Sequence, residues 1–210
     1  MTRKALALAV SAALSSGLGC TVGDGKGEVT SDRLHVQGCW NGPFDLKPDF
    51  FAANPYRKES LLIRVQRGDN NQEASDGLTV IVNDLDEVKK AADARLAIPV
   101  GLPPGVAPPG QPLTGAEAPL VSLSLYLHQT CHEQNSAIYS VGGTITFSSV
   151  FSGDPNEKDS QERLTEATFD VQLADPRELL DAEDATDVTS TINGYFSFFF
   201  QRGQPAQPFQ

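Results

Sequence analysis

His128, Cys131, His132 and Glu133 form the densest cluster of metal-ligand side chains in the chain. A zinc-protease helix needs two histidines four residues apart with a glutamate after the first, so that the two rings share one ion. Here His132-Glu133 is followed by Gln134, Asn135 and Ser136, and the second histidine is missing. A single Cys before a His also lacks the partner thiol that haem attachment requires. Asp154-x-Asn156-x-Lys158 begins like a calcium loop, then puts a cation where the third oxygen ligand belongs. The sequence contains no Gly-x-Ser-x-Gly elbow, no P-loop and no Gly-x-Gly-x-x-Gly after a strand. Carboxylates are plentiful, but a glycosidase pair is defined by a spatial separation that sequence does not carry. The expectation is no metal, no cofactor and no catalytic residues.

A second candidate chemistry is stacking. Trp40, Phe50, Phe51 and Tyr56 lie among Pro43, Pro48 and Pro55 in the segment HVQGCWNGPFDLKPDFFAANPYRK. Aromatics interleaved with prolines and glycines do not make a regular helix, and the segment reads as one short strand and a packed irregular loop. Exposed, these rings could stack on sugars or on a protein partner; buried, they would plug one end of a β-core.

The elements that must position such residues are mostly strands. SLLIRVQR alternates, with Leu61, Ile63 and Val65 on one face and Arg64 and Gln66 pointing away. LTVIVN is apolar throughout, which suggests burial on both sides. VSLSLYLH puts Val121, Leu123, Leu125 and Leu127 on a core face and Ser122, Ser124, Tyr126 and His128 on a wet one. Residues 137 to 141 and 143 to 151 read as strands around a tight Gly142-Gly143 turn, and Leu164 to Leu173 as another. The last, Thr189 to Gln201, directs Phe196, Phe198 and Phe200 one way and Tyr195 and Phe199 the other, and needs a central place in a sheet.

Two helices interrupt this pattern. Asp84 can cap DLDEVKKAADAR, with Glu87 three residues on and Leu85, Val88 and Ala92 lining one face. Asp175-Pro176-Arg177-Glu178 starts a turn or two that the acids Asp181, Glu183 and Asp184 cut short. Residues 99–119 hold seven of the fourteen prolines and read as a long surface loop. Together these signals predict a mainly β, antiparallel β-sandwich of about nine strands with one or two short helices. A closed β-barrel is the alternative, and a lipid-exposed outer-membrane barrel is disfavoured.

The first twenty residues, MTRKALALAVSAALSSGLGC, set the compartment. Arg3 and Lys4 precede an apolar run of Ala5 to Leu14 and then small residues, the pattern of a secretory signal. The run is about half of the roughly 20 apolar residues that a spanning helix needs. Ending as it does at Cys20, it resembles the lipobox of bacterial lipoproteins, with the departure that Gly17 is third before the cysteine and Leu18 second. PFDLKPDFFAANPYR, LYLHQTCHEQN, GTITFSSVFSGDPNE and FFFQRGQPAQPF likewise resemble an uncharacterised group of bacterial envelope lipoproteins. The resemblance implies acylation of Cys20, a membrane-anchored location and, with Thr21 where an Asp would mark inner-membrane retention, sorting to the outer membrane. Ordinary cleavage and a secreted soluble protein is the alternative. The resemblance supplies no catalytic residue.

With Cys20 given to lipid, Cys39 and Cys131 remain, and an exported chain favours a disulfide between them over two buried thiols. The resulting organisation is a signal at 1–19, a flexible tether at 20–32, a single β-rich domain at 33–203 and an extended tail at 204–210. All 27 acidic residues and 14 of the 16 basic ones lie from Cys20 onward, a formal charge of −13 that repels nucleic acid and anionic headgroups. Twelve of the acids fall between Phe151 and Ser190, against Lys158, Arg163 and Arg177. These features point to a lipid-anchored, non-enzymatic binding or accessory module with an envelope protein as partner. A glycan-binding module and an envelope hydrolase with dispersed carboxylates are the alternatives.

Overall fold

A computed structural model describes residues 25–55, 59–68, 75–106, 118–132 and 137–201. Its strands are β1 (Gly25–Val36), β2 (Trp40–Leu46), β3 (Phe50–Pro55), β4 (Leu61–Gln66), β5 (Asp76–Val82), β6 (Ile98–Pro99), β7 (Val121–Leu127), β8 (Ala137–Ser149), β9 (Leu164–Ala174) and β10 (Ser190–Phe199). The helices are α1 (Leu85–Asp93), α2 (Glu178–Asp181) and α3 (Ala185–Val188). Cys20, Tyr56, most of the proline-rich loop and the 204–210 tail lie outside the described residues.

The fold is mainly β and antiparallel, as the alternating segments require. The strands join in one continuous sheet in the order β2-β1-β10-β9-β8-β7-β5-β4-β3, with β6 on β8. The sheet curls into a half-barrel and stays open, so the closed barrel is corrected. Curling folds the β3 end back over the inner face: Phe51 of β3 stacks on Phe198 of β10 with ring centroids 5.6 Å apart. Glycine makes this approach possible, because a Cβ on Gly25 would lie 2.7 Å from the Phe51 ring.

The concave face holds the core. Leu61, Ile63 and Val65 on β4 align in register with Val82, Val80 and Leu78 on β5 and with Val121, Leu123 and Leu125 on β7. All nine are buried, which is the result that period-two alternation predicts. Phe147, Phe169, Phe196 and Phe198 fill the other half through edge-to-face and tilted contacts. β10 is central, between β1 and β9, as its apolar composition demands.

α1 closes one side of the half-barrel against β8. Asp84 caps it by accepting from the Glu87 backbone N–H at 3.0 Å, and Leu85, Val88 and Ala92 are its buried residues. Both features follow the expected pattern.

Four expectations are corrected. Residues 25–32 are no tether: they open β1, whose outer residues are wet while Val29 and Ser31 face the core. The 34–58 segment holds the end of β1 and two further strands, β2 and β3, because its prolines fall at edges and strand ends, where no ladder N–H is lost. Gly142-Gly143 is a bulge inside one strand, since Gly143 at φ +97° kinks the chain without reversing it. Ser122, Ser124, Arg64 and Gln66 are buried although they lie on the convex face. The hydroxyl Ser124 is flanked in register by Thr79 and Tyr139, and such small side chains are shaded by larger neighbours.

Candidate functional site

Cys39 and Cys131 are joined in a disulfide with Cα atoms 5.8 Å apart, tying the β1–β2 turn to the loop after β7. Asp76 fixes that loop from below. Its buried carboxylate accepts from the backbone N–H of Gln129 at 2.9 Å, that of Thr130 at 3.1 Å and the Thr130 hydroxyl at 2.6 Å. The turn Gln37-Gly38-Cys39 is therefore held on a rigid base.

Opposite the turn, the chain between β9 and β10 folds into α2 and α3. Asp175 accepts from the Arg177 backbone N–H at 2.9 Å and starts the first of them. Asp184 caps the second by accepting from Thr186. Arg33 on β1 donates to the Asp187 carbonyl at 3.0 Å, docking this segment on the sheet.

Between turn and helices lies a cleft of about 250 Å³ lined by Gln37, Arg177, Glu178, Asp181, Ala182 and Val188. That is below the usual 300 to 1,000 Å³ of small-molecule pockets and suits one side-chain-sized group. Glu178 is 9% exposed. Its Oε1 accepts from His35 Nε2 at 3.2 Å, while Glu178 Oε2 and His35 Nδ1 are buried with no partner. The His35 backbone N–H in turn donates to Ser190 Oγ at 2.7 Å.

The cation in the cleft is already engaged. Arg177 directs Nε and Nη2 at both carboxylate oxygens of Asp175, at 2.5 to 3.1 Å. Hydrogen bonds from the Arg177 side chain hold the Asp175 carboxyl below the usual carboxylate range, and the same pairing raises Arg177. Glu178, bonded to His35 through one oxygen, and Asp181 line the cleft beside this pair. Two exposed apolar side chains lie on the elements that bound it, outside its lining: Trp40, which follows the turn and is 36% exposed, and Leu180 on α2, 46% exposed.

Of the three described rings expected to stack on a ligand, the structure places Trp40 at the surface, edge-on to Phe44 with centroids 6.3 Å apart. Phe50 and Phe51 are corrected to core residues, at 0% and 4% exposure, because β3 is the end of the sheet that folds back over the interior. Tyr56 lies outside the described residues. His128 stacks on Tyr126 and His132 donates from Nδ1 to the Gln129 carbonyl at 3.1 Å, whereas Glu133 is not described. Among the described residues no group of three His, Cys, Asp or Glu side chains gathers, and no helix is long and apolar enough to cross a membrane. Asp154 accepts from Asn156 N and Glu157 from Lys158 N and Asp159 N, local turns that fold the acidic loop on itself.

His35 and Glu178 were not singled out from sequence, being 143 positions apart. The available signal was the Asp-Pro-Arg-Glu helix start, which reads as local structure.

No family model matches this chain, and comparison with curated proteins and with solved structures yields no match either.

Proposed function

We propose that the chain is a lipid-anchored binding module of the bacterial cell envelope, without enzymatic activity, held at the outer membrane through Cys20. Its curled sheet acts as a sandwich-like scaffold, and its partner is another envelope protein. The anchor rests on the signal-like N-terminus and its resemblance to a lipobox. The location rests on Thr21 following that cysteine.

The observation that carries the binding role is the cleft between the stapled turn and α2. A rigid rim, a buried carboxylate with an unfilled oxygen, and exposed Trp40 and Leu180 are the ingredients of a protein-binding hot spot. Glycan binding is the second reading, favoured by the exposed Trp40 ring that follows the stapled turn.

Two experiments test this. Mass spectrometry of the N-terminus with and without globomycin should show an acylated Cys20 whose processing the drug blocks; an unmodified terminus rejects the anchor. A photo-crosslinking amino acid at Leu180 in living cells should capture a protein, while the same group at exposed Leu96 should not. A crosslinked product sensitive to glycosidases and resistant to proteases favours the glycan instead.

A further inference from the structure

We infer that the cleft beside Glu178 receives a cationic side chain, a guanidinium or ammonium group presented by the partner protein. The inference rests on the binding-module reading above and names the chemistry that module recognises.

For His35 Nε2 to bond the Glu178 carboxylate it must carry a proton, so in the neutral ring Nδ1 is an acceptor. The two buried atoms without partners, His35 Nδ1 and Glu178 Oε2, are then both acceptors. A buried acceptor left unpaired is costly, and doubly so on a carboxylate. Of the two residues only Glu178 lines the cleft, so what the cleft lacks is a donor to that carboxylate.

Glu178 itself lines the cleft, and the open space in front of it fits one side chain. Asp181, on the same short helix, adds a second carboxylate to the lining. Arg177 cannot supply the missing charge from where it stands, because Nε and Nη2 are held by Asp175. Nor does an anion suit the cleft: it would meet Glu178 and Asp181, and the chain around it is acidic at Glu183, Asp184 and Asp187. The formal charge of −13 from Cys20 onward steers basic partners toward this surface.

A planar guanidinium matches the geometry best. It can direct paired N–H groups at a carboxylate. A lysine offers the charge without the fork.

The test uses the full-length acylated protein in detergent micelles. The probe is the peptide acetyl-Gly-Arg-Gly-amide, compared with its citrulline counterpart, which keeps the shape and loses the charge. Calorimetry should show binding of the arginine peptide at least tenfold tighter than the citrulline one. Glu178→Gln, which retains the bond with His35, should weaken it at least tenfold. Asp181→Asn, at an exposed position that does not threaten folding, should weaken it two- to threefold, and Asp159→Asn in the distant loop should have no effect. Equal binding of both peptides, or binding indifferent to Glu178→Gln and Asp181→Asn, overturns the inference. If the arginine peptide fails to bind while the Leu180 crosslink to a protein persists, the cation assignment falls and the binding module stands. If both fail, both fall.

Discussion

His35 and Glu178 share a single hydrogen bond of 3.2 Å, and on either side of it a buried polar atom has no partner. The pair is held from both ends, by Ser190 on β10 beneath the histidine backbone and by the short helices that carry the glutamate. Removing one member leaves the other stranded. His35→Ala should therefore lower stability by about 3 kcal/mol, whereas His35→Leu combined with Glu178→Leu should recover most of that loss. Urea unfolding of the two variants decides it, and a double variant less stable than the single one is the contrary result.

The disulfide closes a separation of 92 residues around the turn that walls the cleft. Loop-closure entropy puts its contribution at roughly 4 to 5 kcal/mol as a ceiling. Cys39→Ser with Cys131→Ser should lower the urea midpoint accordingly. It should also raise amide exchange at Gln37 and Gly38 more than at Gln129 and Thr130, which Asp76 still holds.

The paired Asp175 and Arg177 give stability a pH dependence of definite sign. The aspartate's folded pKa lies below its ordinary value near 3.9, chiefly through the Arg177 side chain. Its contribution is thus fully present above about pH 4 and disappears as pH falls through the depressed folded value. Arg177→Ala should cost stability at pH 6, with the difference from wild type shrinking as pH falls below the ordinary carboxylate range. The pair is partly solvated, so the effect at pH 6 is at most about 1 kcal/mol. A difference equal at both pH values contradicts the assignment.

Phe51 and Trp40 were paired by sequence as possible stacking residues and are separated by structure. Phe51→Ala should cost about 3 to 4 kcal/mol, as a core truncation does. Trp40→Ala should cost far less, since the ring is 36% exposed, and should act on partner capture. Comparable losses of stability would restore the symmetric reading.

What the sequence revealed and what it hid divide along physical lines. Strands with one apolar face announced themselves by alternation, and α1 by an aspartate cap and its three buried positions. β1 was hidden because Gly25 and Gly27 occupy inward positions where Phe51 and Phe198 approach, so the strand carries little apolar signal. The Gly142-Gly143 bulge looked like a turn because glycine marks both. The curl of the sheet was hidden too, since alternation reports which residues face inward and not how far the ladder continues. The cleft was the least legible part. Its turn and its helix come from opposite ends of the chain, and nothing in the spacing of His35 and Glu178 joins them. Trp40 and the Cys39–Cys131 pair were within reach, and both adjoin the site.

The most direct test of the cleft is the side-chain carboxyl resonance of Glu178, followed by carbon-13 NMR as acetyl-Gly-Arg-Gly-amide is added. The Glu178 signal should move progressively and saturate, with a smaller movement at Asp181 and none at Asp159. A Glu178 signal that stays fixed while the peptide demonstrably binds would place the cation elsewhere on the acidic surface and contradict the site.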